Sequence, residues 1–112
     1  MTASSSSLVQ PFQADVVVGR DEVVVALAGE LDLQSADVLE REVAALRAAG
    51  RDRIVIDLRE VGFIDSTGLR VLLGLHRTAE HEGRLISLVR GPHPVQRIFE
   101  LTATAQLFHW RD

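Results

Sequence analysis

The sequence contains no cysteine, which excludes both a disulfide framework and a thiolate metal site. It contains no lysine either: the 12 basic residues are all arginine, scattered singly with no cluster of three or more. A nucleic-acid binder ordinarily carries a basic stripe that neutralises phosphates, and a chain with 16 acidic residues and a formal net charge of −4 supplies none. Nucleic acid is therefore not an expected partner. No apolar run approaches membrane-spanning length, and the first 13 residues lack the basic region and apolar run of a signal peptide. A soluble, cytoplasmic protein with no membrane partner is expected. Internal repeats and interior linkers are also missing.

What is present is the composition of an ordinary globular chain: 112 residues, 46% hydrophobic and 25% charged, enough for one core but not for two. Residues 1–10 are small and polar, with a serine run from Ser4 to Ser7, and are expected to be a disordered tail ahead of a single domain at 11–112.

The chain alternates strand and helix patterns. Phe12 to Val18 and Glu22 to Ala28 are valine-rich and flank the turn residues Gly19-Arg20-Asp21, an antiparallel hairpin. The second of these strands is apolar on both faces and belongs inside a sheet. Ser35 stands where a helix N-cap is wanted, and Leu39, Val43 and Leu46 recur at helical spacing up to Gly50, so a helix spans about Ala36 to Ala49. Ile54 to Leu58 is a buried strand. A second helix runs from Thr67 to about Glu82 with Leu69, Leu72, Leu73, His76 and Ala79 on one face. Val71 and Leu75 fall to the side of it, against a neighbouring helix or a partner. Leu85 to Val89 is a further strand, and Pro94 opens a third helix whose face carries Val95, Ile98, Phe99 and Thr102. Leu107 to Trp110 reads equally as a short strand or a terminal apolar clasp. The sum is an α/β fold: a mixed sheet of four to five strands with an N-terminal hairpin, helices mainly on one side.

Loops at the carboxyl ends of strands hold the site in such sheets. Asp32, Asp57 and the Asp65-Ser66 pair are all read at or just after strand ends, where they are able to share one rim. Hydrolase chemistry at Ser66 lacks the small residue two positions earlier that a nucleophile elbow requires, and His76 lies too deep in its helix. No metal is expected: His76 and His81 are five apart and do not share a helix face, and Asp32 and Asp65 are more simply loop or capping groups. No cofactor is expected, and no enzymatic activity. A serine at a helix N-terminus, by contrast, is where an added phosphate meets free N–H groups and the positive end of the helix dipole. It would place about −1.5 to −2 charges beside Asp65 and reject a partner docked over the rim.

The order Gly29-Glu30-Leu31-Asp32, a helix, Ile54-Val55-Ile56-Asp57-Leu58, then Val61-Gly62-Phe63-Ile64-Asp65-Ser66-Thr67-Gly68-Leu69 resembles the STAS domain of bacterial anti-sigma factor antagonists, over about Gln13 to Phe108. The resemblance implies that Ser66 is phosphorylated by an anti-sigma factor that is a serine kinase, with Thr67 as second choice, and is restored by a serine phosphatase. It implies that the unphosphorylated form binds the anti-sigma factor, so releasing a sigma factor, through Asp32, Asp65, Ser66, Thr67, Gly68 and Val71. A monomer is expected. The alternatives are a structural STAS subunit of a stress-signalling or lipid-transport assembly, and a small enzyme using Ser66. One departure stands out: where many members have glycine after the last main helix, this chain has Leu101-Thr102-Ala103-Thr104.

Overall fold

The computed structural model describes residues 11–111, so the tail expected at residues 1–10 lies outside them. Strand β1 (Gln13–Val18) pairs antiparallel with β2 (Val23–Leu31). The turn between them closes with Gly19 N–H donating to the Glu22 carbonyl at 2.8 Å. A Cβ on Gly19 would lie 2.9 Å from that oxygen, so the turn needs glycine. There follow α1 (Ala36–Ala48), β3 (Arg53–Ile64), α2 (Ser66–His81), β4 (Leu85–Val89), α3 (His93–Leu101), a short 3-10 turn (Ala105–Leu107) and β5 (His109–Arg111).

The sheet order is β1-β2-β3-β4-β5, parallel from β2 onward. Each helical crossover steps one strand in the same direction, and the right-handed sense of such crossovers puts every helix on one face. The packing agrees. The registered rows Val23–Ile54–Ile86 and Val25–Ile56–Leu88 point into the covered face. Leu39 and Val43 of α1, Leu69, Leu72 and Leu75 of α2, and Val95 and Phe99 of α3 close the core over them. The intervening rows Val24–Val55–Ser87 and Ala26–Asp57–Val89 face the opposite, open side. Leu75 is buried and Val71 only half-buried against the core, so Leu75 packs within the protein.

Three local features differ from the sequence reading. The central strand does not end at Leu58 but continues to Ile64. Its pairing with β2 slips twice, from Ala26↔Asp57 to Ala28↔Glu60 and from Gly29↔Val61 to Glu30↔Phe63. Each slip adds one residue to β3, so buried positions fall at Leu58, Val61 and Ile64, a spacing of three that hides the strand's alternation. Ser35 precedes α1 but makes no side-chain cap bond to it. Its hydroxyl donates to the Glu30 carbonyl at 2.6 Å and accepts from Asp32 N–H at 2.9 Å, bracing the loop instead. The C-terminal stretch is both a strand and a clasp. Phe108 is buried edge-on to Phe99 at 5.4 Å, and Trp110 meets Phe99 at 5.0 Å while donating to the Ala105 carbonyl at 2.7 Å.

The described helices end in one way. In α3 the Ala103 N–H reaches the Glu100 carbonyl and the Thr104 N–H the Phe99 carbonyl, and the same pair of bonds closes α1 around Gly50 and α2 around Gly83. This closure needs a left-handed residue. Gly50 has φ 82° and Gly83 φ 72°, but the third position is held by Ala103 at φ 56°. Leu101-Thr102-Ala103-Thr104 thus closes α3 as glycine closes α1 and α2, with strain at Ala103. Ala103→Gly is expected to stabilise the protein by about 1 kcal/mol and Gly83→Ala to destabilise it by a similar amount, both read by denaturant unfolding.

Candidate functional site

The site is built where the ends of β2 and β3 reach the same rim. Asp65 N–H donates to the Leu31 carbonyl at 3.2 Å, joining the two strand ends. Asp65 then caps α2 in extended conformation, its Oδ1 accepting from Gly68 N–H at 2.9 Å. Its Oδ2 accepts from Leu33 N–H at 3.3 Å, which ties the β2–α1 loop to the start of α2. Within that loop Asp32 Oδ1 accepts from Gln34 N–H at 3.0 Å and Ser35 N–H at 3.2 Å. Asp32 and Asp65 therefore share one rim, and both carboxylates are occupied with backbone donors.

Ser66 is the first residue of α2 and is exposed, and its hydroxyl has no hydrogen-bond partner among the described residues. The capping is done by Asp65, which leaves the serine oxygen without a structural task. Thr67, one step into the helix, is half-buried. Gly68 is buried and takes a different role from surface contact: a Cβ there would fall 2.4 Å from the Leu31 carbonyl oxygen, so it permits α2 to abut the end of β2. Two apolar side chains on the rim were missed from sequence. Leu33, whose N–H bonds Asp65, is 73% exposed, and Phe63, two residues before Asp65, is 48% exposed. Exposed leucine in a loop carries no periodic signal; an apolar residue between Asp32 and Ser35 was the available clue.

Asp57 does not join the rim. It lies within β3, paired with Ala26, and points to the open face. There it accepts a forked interaction from Arg59, with Nε at 3.0 Å and Nη2 at 2.8 Å, and also accepts from the Arg59 backbone N–H at 3.0 Å. These bonds span the first slip of the strand, so Asp57 braces the bulge. The Arg59 side chain holds its carboxyl below the ordinary value of 3.8 against the opposing effect of burial.

One grouping is not evident from the sequence, where His76 and His81, five apart, share no helix face. His76 and Glu80 are four apart on α2, and His109 arrives from β5; one ligand atom from each lies within 4.8 Å of the others. The i, i+4 spacing was the local signal, whereas His109 has none.

The rim thus gathers an exposed serine hydroxyl at a helix N-terminus and the exposed apolar side chains of Leu33 and Phe63. A family model described as "Mlab, STAS domain" matches residues 15–109, and the chain belongs to the STAS domain family. It is 33% identical to the anti-sigma-B factor antagonist of Bacillus subtilis over 91 residues, 81% of this chain and 83% of that protein. The fold matches an anti-sigma factor antagonist from Mycobacterium paratuberculosis with TM-score 0.79 and 27% identity, covering 89% of this chain and 85% of that one. It matches unphosphorylated SpoIIAA, also an anti-sigma factor antagonist, at TM-score 0.72 and 22% identity, with 91% and 89% covered. It matches phosphorylated SpoIIAA, a Bacillus cell fate determinant, at 0.67 and 22%, with 91% and 92% covered. Among the described residues no helix is long and apolar enough to cross a membrane.

The depressed Asp57 carboxyl sets a pH dependence. Its stabilising effect is complete above the unfolded value of 3.8 and is lost as pH falls through the lower folded value. Urea melts from pH 6 to pH 2 are expected to show wild type more stable than Asp57→Asn above about pH 5, with the gap closing in the acid range.

Proposed function

We propose that this protein is an anti-sigma factor antagonist that works by partner switching. Its unphosphorylated form docks on an anti-sigma factor and so releases a sigma factor for transcription. Phosphorylation of Ser66 by the serine kinase activity of that anti-sigma factor ends the interaction, and a serine phosphatase restores it. The observation that carries this reading is the exposed, unpartnered Ser66 hydroxyl at the first position of α2, with capping delegated to Asp65.

The chemistry is electrostatic. A phosphate on Ser66 adds about −1.5 to −2 charges at a rim that already holds the Asp65 and Asp32 carboxylates. Because both carboxylates are engaged with backbone N–H groups, they do not swing away to relieve the repulsion. The helix dipole and the first-turn N–H groups left without intrahelical acceptors favour the added anion locally. The fold therefore tolerates the phosphate while the surface presented to the partner becomes much more negative. Leu33 and Phe63 supply the apolar part of the docking surface, with Thr67 and Val71 flanking it on α2.

On this reading the protein is a cytoplasmic monomer without catalytic activity of its own, and the partner performs the phosphoryl transfer. A purely structural STAS subunit gives the free Ser66 hydroxyl nothing to do.

Ser66→Asp is expected to weaken binding to the cognate anti-sigma factor by on the order of tenfold to a hundredfold, and Ser66→Ala to bind like wild type. Equal affinities for the three proteins in a calorimetric titration would contradict the switch. Leu33→Asp is expected to change folding stability by no more than about 0.5 kcal/mol, since the side chain is largely exposed. The same change is expected to cost about tenfold or more in partner affinity. Unchanged binding would remove Leu33 from the docking surface.

A further inference from the structure

We propose that His76, Glu80 and His109 form a zinc site that fastens the last strand to helix α2. One helical turn stacks His76 and Glu80 on the same face, and His109 is the first residue of β5. His109 Nε2 stands 3.2 Å from Glu80 Oε2, and His76 Nε2 stands 3.5 Å from Glu80 Oε1. Tetrahedral zinc with nitrogen and oxygen ligands at about 2.0–2.2 Å sets neighbouring ligand atoms about 3.4 Å apart. Both histidine nitrogens approach the Glu80 carboxylate at about that spacing, each at a different oxygen, so ligation through a single oxygen requires the carboxylate to turn. The imidazole rings are 5.1 Å apart between centroids, and the remaining edge closes by rotation of His109, whose side chain is 49% exposed.

The burial of His76 bears on the same site. His76 is only 6% exposed, and its Nδ1 is buried without a hydrogen-bond partner, alone in this among the side-chain atoms of the described residues; coordination through Nε2 leaves the ring proton on Nδ1, so the zinc bond has to outweigh that unpaired N–H. Its Nε2 has only the long approach to Glu80. Nε2, 3.5 Å from Glu80 Oε1, is the nitrogen placed to bind the cation. Phe108 flanks the ring at 5.6 Å and shields the site on its inner side.

Two imidazoles and one carboxylate, with no thiolate, suit zinc and not the oxygen-only preferences of magnesium or calcium. Glu80 is 56% exposed, so the fourth position faces solvent and takes water. Bound zinc would join the C-terminal strand to the C-terminal half of α2, the helix whose other end carries Ser66. This site stands whether or not the antagonist reading holds.

The test uses the full chain, stripped with a chelator and titrated calorimetrically with zinc sulfate, alongside thermal melts. The expected result is saturable binding of a single zinc per chain, a raised Tm, and no response to magnesium. His109→Gln and Glu80→Gln, both at exposed positions, are each expected to weaken zinc binding by at least about tenfold while circular dichroism stays unchanged. His81→Gln, the exposed neighbouring histidine, is expected to leave it intact. Absence of saturable binding, undiminished affinity in His109→Gln or Glu80→Gln, or loss of binding in His81→Gln would overturn the proposal.

Discussion

The Asp65 carboxylate holds α2 through Gly68 N–H and the β2–α1 loop through Leu33 N–H, while the Asp65 backbone N–H bonds the end of β2. Three chain segments meet at this one residue. The helix start, the loop and the strand end are consequently fixed relative to each other, and Ser66 is carried to the surface as the next residue. Gly68 completes the arrangement, because any larger residue would push α2 away from the Leu31 carbonyl. A capping side chain usually contributes about 1 kcal/mol to a helix; here the same group also shapes the rim.

The fold explains why such a rim is open to a partner. Parallel crossovers of one hand cover one face of the sheet with helices, and β2 and β3 run on past the end of β4 to Leu31 and Ile64. Two added residues in β3 turn this extension, and the Asp57–Arg59 pair steadies the first of them. The rim therefore rests on a braced strand pair, and under the proposed switch a charge added at Ser66 would change the surface without rearranging it.

Much of this was legible in the residues themselves. The valine-rich hairpin, the apolar stripes of the helices and the glycines at 50 and 83 announced their elements because each depends on local periodicity or on a left-handed residue. The Asp65-Ser66 junction was found for the same reason. What escaped notice depends on partners distant in sequence. β3 beyond Leu58 was lost because the strand slips break the period of two, and Asp57 was placed on the rim because the strand seemed to stop there. Ser35 reads as a cap in the sequence because nothing there shows that its hydroxyl finds Glu30 and Asp32. The family resemblance supplied the role of Ser66; the exposed Leu33 and Phe63 needed the tertiary structure.

The central claim is that Ser66, and not a neighbouring hydroxyl, receives the phosphate. Its most direct test is incubation of the purified protein with its anti-sigma kinase and ATP, followed by intact-mass analysis and site mapping. The account predicts a single added phosphate located on Ser66 and no modification of Ser66→Ala. Phosphate on Thr67 or elsewhere in wild type, or undiminished labelling of Ser66→Ala, would contradict it.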